Sequence, residues 1–234
     1  MIWLALGLFA FAVADLVQWS PVVEPGRRTV VAVAGGAVAA AAIAALAGMP
    51  AGEVVAVFAA AVVGLAVWLL LPNEKPIWPL AWIVAVLTAL FAVSGSAEPI
   101  SDDLKSWYSG LPYPFAEVVS VEQFVLAAAA TLFLLATANR IVRLVLEAAD
   151  AFPDKDESSP RGGRLLGPME RLIVAAVVVA GEPAAAALVI AAKSLLRFPE
   201  IKGKTDRVTE YFLVGTFTSL VVATLAALMI LASG

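Results

Sequence analysis

The 234-residue chain contains no cysteine and no histidine. These two absences exclude disulfides, thiolate nucleophiles, zinc sites built from nitrogen and sulfur ligands, and acid–base catalysis by imidazole. Any chemistry must therefore use carboxylates, lysine, arginine, tyrosine or hydroxyl groups. The sequence also lacks a glycine-rich phosphate loop and a serine nucleophile elbow. It identifies no cofactor, and we predict no metal site.

Charged residues are scarce as well. They make up 15% of the chain, whereas 62% of the residues are hydrophobic and the mean hydropathy is +0.96. This composition is typical of proteins whose partner is the lipid bilayer, and we expect no nucleic-acid partner. Segments of about 20 apolar residues are long enough to cross a bilayer. The apolar segments are Met1–Trp19, Val30–Gly48, Val54–Leu71, Ile77–Ser94, Phe124–Ala138, Leu172–Ala192 and Tyr211–Ala232. They predict an all-α, polytopic membrane helical bundle.

The first apolar segment resembles a signal peptide because it ends in Ala12-Val13-Ala14. However, no basic residues precede it, and Arg27 and Arg28 follow it. This charge order is opposite to that of a signal peptide, so we predict a retained first helix. In the second segment every fourth residue is small, which favours close packing of another helix. These residues are Ala32, Gly36, Ala40, Ala44 and Gly48.

The polar segments divide the chain into three parts within one domain. Residues 1–149 are predicted to form a five-helix bundle, 150–164 a cytoplasmic linker, and 165–234 a C-terminal membrane unit. The fifth segment continues past its apolar part with polar residues at helical spacing. We therefore predict one extended helix that carries on one face Asn139, Arg143, Glu147 and Asp150.

The distribution of basic residues indicates a break in the segment Leu172–Ala192. Lysine and arginine accumulate in cytoplasmic loops. A single crossing would place the basic clusters before and after this segment on opposite sides of the membrane. A re-entrant hairpin that turns at Gly181-Glu182-Pro183 places both on the cytoplasmic side. We therefore predict six full transmembrane helices plus a re-entrant helical hairpin, with seven transmembrane helices and a kink at Pro183 as the alternative. A half-helix of eleven residues rises about 16 Å, so Glu182 would lie near the bilayer midplane.

Residues 163–219 contain Gly163-Arg164, Glu170-Arg171, Lys193-Ser194, Arg197-Phe198 and Glu210-Tyr211. In these elements the chain resembles the C-terminal part of an uncharacterised family of bacterial integral membrane proteins, known as a domain of unknown function. Asp15 and Gln18 are similar to an Asp-Phe-x-x-Gln element in the first helix of that family, although Leu16 replaces the phenylalanine and the preceding histidine is missing. The resemblance implies a multi-pass protein of the bacterial cytoplasmic membrane and no particular activity.

Ten polar residues lie in or beside the apolar segments, where ionisable side chains are costly and indicate function. These candidate ligand-binding residues are Asp15, Gln18, Asn139, Arg143, Glu170, Arg171, Glu182, Lys193, Arg197 and Glu210. Lys193 and Arg197 are four residues apart on one helical face and suit a phosphate, or else they form an internal ion-pair lattice with the acids around them. Other basic side chains at the helix ends are expected to extend to lipid head groups. These are Arg140, Arg164, Lys202 and Lys204.

Three functions are compatible with these residues. The first is a cytoplasm-facing polar pocket that binds an anionic or lipid-head-group ligand, with or without enzymatic activity. The second is a small ion or proton transporter or channel gated by the broken helix around Glu182. Its path would be lined by hydroxyls of the last segment such as Thr218 and Ser219, unless these bond to their own helix backbone. The third is a structural protein whose small-residue helices form a homo-oligomer or dock another membrane protein.

Overall fold

The computed structural model describes residues 1–72, 74–96, 100–152, 163–201 and 206–234. Within these ranges, the side chains of residues 96, 163–165, 193, 194, 196–201, 206 and 207 are not among those described. The described residues form α-helices and short 3-10 turns and contain no β-strand. The all-α prediction is confirmed for this part of the chain.

The helices follow the apolar segments closely at most of their ends. The first group is α1 (Ile2–Trp19), α2 (Arg28–Leu46), α3 (Ala51–Leu70) and α4 (Ile77–Val93). The short helices α5 (Asp102–Ser109) and α6 (Phe115–Val118) follow. The remaining helices are α7 (Val121–Leu135), α8 (Thr137–Ala148), α9 (Gly163–Val179), α10 (Pro183–Ile201) and α11 (Asp206–Leu231).

Helix α1 lies at the centre of the bundle. It contacts α2, α3, α4, α7 and α8, and 56% of it is buried, a larger share than in any other candidate span. The apolar core is continuous from α1 to α11, because Leu4 and Leu8 belong to the same cluster as Ala226 and Ala227. Because α1 is surrounded by other helices, a polar side chain on α1 can be buried away from both water and lipid.

The small residues of α2 allow it to approach α1 closely. Ala32, Gly36, Ala40 and Ala44 are all buried. A Cβ atom added at Gly36 would lie 2.6 Å from the carbonyl oxygen of Ala10 in α1. The two backbones are therefore too close for any side chain at this position, which confirms the packing role predicted for these four residues. Gly48, the fifth residue of the predicted stripe, follows the end of α2 and has a positive φ of 83°.

The prediction of one extended helix after Phe124 is wrong, because the helix is interrupted at Ala136. There α7 ends, α8 begins, and the two helices are bent by 46°. The prediction missed the bend because the local sequence holds neither proline nor glycine, the usual causes of a kink. The carbonyl oxygens of Leu134 and Leu135 at the bend accept hydrogen bonds from the side chains of Arg171 and Asn139. These side chains replace helix hydrogen bonds inside an apolar environment.

Helices α9 and α10 fold back on each other around Gly181. Gly181 adopts a positive φ of 81°, and the amide of Glu182 donates to the carbonyl of Val177 in the manner of a Schellman cap. Pro183 then begins α10, where its missing N–H costs nothing. Val174 of α9 and Ala186 of α10 lie in one apolar cluster with Ala223 of α11. The chain therefore breaks and reverses at the predicted position.

The first arm of this hairpin is longer than predicted. Helix α9 has 17 residues rather than eleven, because it begins at Gly163 and includes Glu170 and Arg171. Arg171 is only 3% exposed, so it does not mark the edge of the apolar layer. The depth of Glu182 in the bilayer stays a prediction.

Four helices are long and apolar enough to cross a membrane: α1, residues 25–46 including α2, α3, and residues 208–231 of α11. The bent pair α7 and α8 makes a fifth if it forms one span. The protein is thus a membrane-embedded helical bundle with four to five candidate spans in its described residues. The predicted count of six full spans exceeds this number, because α4 has only 17 residues.

Candidate functional site

A buried carboxylate lies near the C-terminal end of the central helix. Asp15 is 1% exposed, and the indole Nε1 of Trp68 donates to its two carboxylate oxygens at 3.2 and 3.3 Å. The hydroxyl of Thr137 also lies beside Asp15 but makes no hydrogen bond of good geometry. A carboxylate in this position needs hydrogen bonds and an opposite charge to remain ionised.

Arg140 provides the opposite charge. Its Nη1 lies 3.5 Å from Oδ1 of Asp15, and its Nη2 donates to the backbone carbonyl of Trp68 at 2.9 Å. The guanidinium also lies over the Trp68 ring, 4.2 Å from the centroid. The expectation that Arg140 extends to lipid head groups is therefore wrong, because its charge is used inside the bundle.

A mainly polar cavity of about 250 Å³ opens beside this cluster. It lies between the ends of α1 and α3, the start of α2, and α8. Three predicted site residues, Asp15, Gln18 and Arg143, line it together. The remaining lining residues are Trp19, Thr29, Leu69, Arg140, Leu144 and Glu147. We call this the α1–α8 cavity.

A second polar group surrounds Arg171 next to the α7–α8 bend. The Nε of Arg171 donates to the carbonyl of Leu134 at 3.0 Å, and its Nη1 donates to Ser219 Oγ at 3.4 Å. Its Nη2 donates to Oδ1 of Asn139, whose own amide donates to the carbonyl of Leu135 at 2.8 Å. The guanidinium thus links α9 to the α7–α8 bend and to α11.

A cavity of about 20 Å³ adjoins Arg171. Its polar lining residues are Glu170, Arg171, Thr216 and Ser219, and its apolar ones include Val189 of α10. By this measure a water molecule needs roughly 10–15 Å³ and two to four polar partners. The hairpin therefore encloses room for about one ordered water.

The structure divides the ten predicted residues into separate places. Asp15, Gln18 and Arg143 line the α1–α8 cavity, whereas Asn139 and Arg171 meet at the α7–α8 bend. Glu170 lines the small cavity beside Arg171. Glu182 is exposed at the hairpin turn, and Glu210 is exposed on α11. The side chains of Lys193 and Arg197 lie outside the described residues, as do those of Arg164, Lys202 and Lys204. The phosphate grip proposed for Lys193 and Arg197 stays a prediction.

Sequence patterns did not single out Trp68 or Thr29. Trp68 is near the end of its helix, where tryptophan normally indicates the membrane interface, and only the fold brings it to Asp15. The predicted hydroxyl contacts divide into two kinds. Thr218 bonds to the carbonyl of Val214 in its own helix, as expected, but Ser219 accepts from Arg171.

A larger cavity, of about 660 Å³, contains little polar surface. It lies between α1, α3 and α4 and is lined mainly by alanine, valine and leucine with Trp3 and Trp82. It offers no chemistry beyond apolar contact, so the smaller α1–α8 cavity is the better candidate site.

No family model, no curated protein and no solved structure matches this chain.

Proposed function

We propose that the α1–α8 cavity binds a phosphate-bearing lipid head group at the cytoplasmic face of the membrane. The observation that carries this proposal is that the cavity is mainly polar, is lined by the guanidinium of Arg143, which forms no ion pair among the described side chains, and adjoins candidate membrane-spanning helices. Arg143 is exposed and suits bidentate contact with a phosphate. The exposed Trp19 at the rim suits the level of lipid head groups.

We further propose six full transmembrane helices plus a hairpin, α9 and α10, that enters and leaves the membrane on the cytoplasmic side. In this arrangement α4 is the sixth span; its 17 residues rise about 25 Å, slightly less than a typical apolar core. The reversal at Gly181 supports the hairpin over a single crossing. The resemblance of residues 163–219 supports the bacterial cytoplasmic membrane as the location.

Lipid retention tests the binding proposal. The purified full chain would be exchanged into micelles that contain phosphatidylglycerol, phosphatidylethanolamine and uncharged diacylglycerol, and retained lipids would be counted by native mass spectrometry. We expect Arg143→Gln to lower the retention of both phospholipids by about threefold to fivefold, the effect of one partly exposed charge. Diacylglycerol retention should not change.

A matched control removes one arginine away from the cavity. Arg27 is 80% exposed in its side chain and faces only Glu24, at 3.9 Å. Arg27→Gln should therefore retain phospholipid at the level of the parent chain. Equal retention by the parent and Arg143→Gln would refute the proposed function, whereas an equal loss in both variants would indicate a general charge effect.

A further inference from the structure

Two opposite charges facing the α1–α8 cavity form no close ion pair within the described protein. Arg143 and Glu147 are four residues apart on α8, so they project from the same side of the helix. Among the described side chains, neither of them forms an ion pair or a side-chain hydrogen bond. The Glu147 carboxylate is attracted to the charge of Arg140 but forms no hydrogen bond with it. The cavity therefore presents one unpaired guanidinium and one carboxylate that can still accept hydrogen bonds.

The other two charges of the cavity are already used. Asp15 accepts hydrogen bonds from Trp68 and faces Arg140. Arg140 is held by Asp15, by the Trp68 carbonyl and by the Trp68 ring. This pair is neutral overall, and both of its members already have partners inside the bundle. A ligand consequently meets Arg143 and Glu147, whose charges also sum to zero.

Resting on the proposed function, we infer that the preferred ligand is a zwitterionic head group that carries both a phosphate and a primary ammonium. The phosphate binds Arg143, and the ammonium donates hydrogen bonds to Glu147. Gln18 adds a neutral acceptor, because its amide nitrogen donates to Thr29 and leaves its oxygen available. A head group with negative charge alone would place a like charge near Glu147.

The size and rim of the cavity fit such a head group on a lipid. Its volume of about 250 Å³ is many times the roughly 10–15 Å³ that one water needs by the same measure. Leu69, Leu144 and the exposed Trp19 add apolar surface next to the polar groups. The glyceride backbone of a lipid would contact this apolar surface. Soluble phosphoethanolamine has the same charged groups as the lipid but lacks the glyceride backbone.

The test compares phosphatidylethanolamine with phosphatidylglycerol in the same retention experiment. We expect the parent chain to prefer phosphatidylethanolamine by about threefold to fivefold, and Glu147→Gln to abolish the preference while it still retains both lipids. Phosphatidylcholine has the same charges but no N–H donor, so it should be retained no better than phosphatidylglycerol. Glu53→Gln, at the opposite end of α3, is the control and should keep the preference.

The outcomes separate this inference from the proposed function. A parent chain that retains phosphatidylglycerol equally well, with no effect of Glu147→Gln, overturns the inference even if Arg143→Gln still lowers retention of both lipids. The inference is supported if Glu147→Gln loses the preference for phosphatidylethanolamine while the parent chain and Glu53→Gln keep it. Competition with soluble phosphoethanolamine identifies the source: displacement of the lipid at equal concentration assigns the site to a soluble zwitterion, and no displacement assigns it to the lipid.

Discussion

Asp15 is an acidic residue inside a membrane-spanning helix, and three kinds of contact compensate its charge. Trp68 donates hydrogen bonds, Arg140 supplies an opposite charge, and the Trp68 ring holds that arginine in place. Each group depends on the other two. Removing one member of a buried ion pair is much more costly than removing both, because the remaining charge is left uncompensated.

This dependence predicts the result of a double-mutant cycle. Arg140→Met should lower the free energy of unfolding by about 3 kcal/mol. Asp15→Leu combined with Arg140→Met should be less destabilising than the sum of the two single changes. Thermal unfolding of each variant in the same detergent measures the four values. Additive effects would show that Asp15 and Arg140 do not interact.

Arg171 allows a second prediction at this scale. It makes three hydrogen bonds from three different nitrogens, to Leu134, Ser219 and Asn139. Lysine keeps the charge but cannot reach these acceptors in the same fixed geometry. Arg171→Lys should therefore destabilise the protein by about 1–3 kcal/mol, because the carbonyl at the bend loses its donor.

Thermal unfolding and proteolysis of the α9–α10 hairpin would measure this effect. The matched control is Arg27→Lys, since Arg27 lies in an exposed 3-10 turn and contacts only Glu24. The control should unfold within about 0.5 kcal/mol of the parent. If Arg171→Lys also stays within that range, the guanidinium geometry contributes nothing to the hairpin.

The helices could be predicted well wherever composition alone decides them. The segments for α1, α2, α3 and α11 agree with the structure within a few residues, because long apolar runs have no alternative in a bilayer. The break at Gly181 was also predictable, since a glycine followed by proline ends one helix and starts another. The α7–α8 bend was not, because the Leu134 carbonyl at the bend accepts its hydrogen bond from Arg171, which is far along the chain.

The candidate site was predictable only in part for the same reason. The sequence singles out Asp15, Gln18 and Arg143 because each is a polar residue in or beside an apolar segment. Their partners Trp68 and Thr29 carry no such signal and become recognisable only after folding. Arg140 was visible in the sequence but was assigned to the surface, since its position near a helix end does not reveal that it turns toward Asp15.

The contact between α1 and α2 predicts different effects for two glycines. At Gly36 an added Cβ would lie 2.6 Å from the Ala10 carbonyl, whereas at Gly64 it would meet nothing within 4 Å. Gly36→Ala should destabilise the bundle by about 1–3 kcal/mol through overpacking. Gly64→Ala should be neutral or stabilising by up to about 1 kcal/mol, because alanine is the better helix former. Unfolding curves of the two variants provide the comparison, and equal effects would contradict the close approach.

At the scale of the whole molecule, the contacts define two ends of the bundle. At one end Asp15, Trp68 and Arg140 meet. At the other, Ser94 accepts from the amide of Leu4. The basic residues are unequally divided between these ends. The loops and helix ends beside Asp15 contain Arg27, Arg28, Lys75, Arg140 and Arg143. Lys105 lies in the short helix α5, which follows Ser94 and precedes α7.

This asymmetry predicts which end faces the cytoplasm. Basic residues of short loops remain on the cytoplasmic side, so the Asp15 end should face inward and the Ser94 end outward. The chain has no native cysteine, and single cysteines can therefore be placed without further changes. A thiol reagent that cannot cross the membrane, added from outside intact cells, should label Lys105→Cys but not Lys75→Cys.

The same experiment decides between the hairpin and a single crossing. Ser158 precedes α9 and Lys202 follows α10. If α9 and α10 form a hairpin that returns to its own side, Ser158→Cys and Lys202→Cys should both resist the external reagent and both react once the cells are opened. Labelling of only one of them from outside would mean that the segment crosses once. Lys202 and the residues that follow it would then lie outside, and the proposed arrangement of six spans and a hairpin would be wrong.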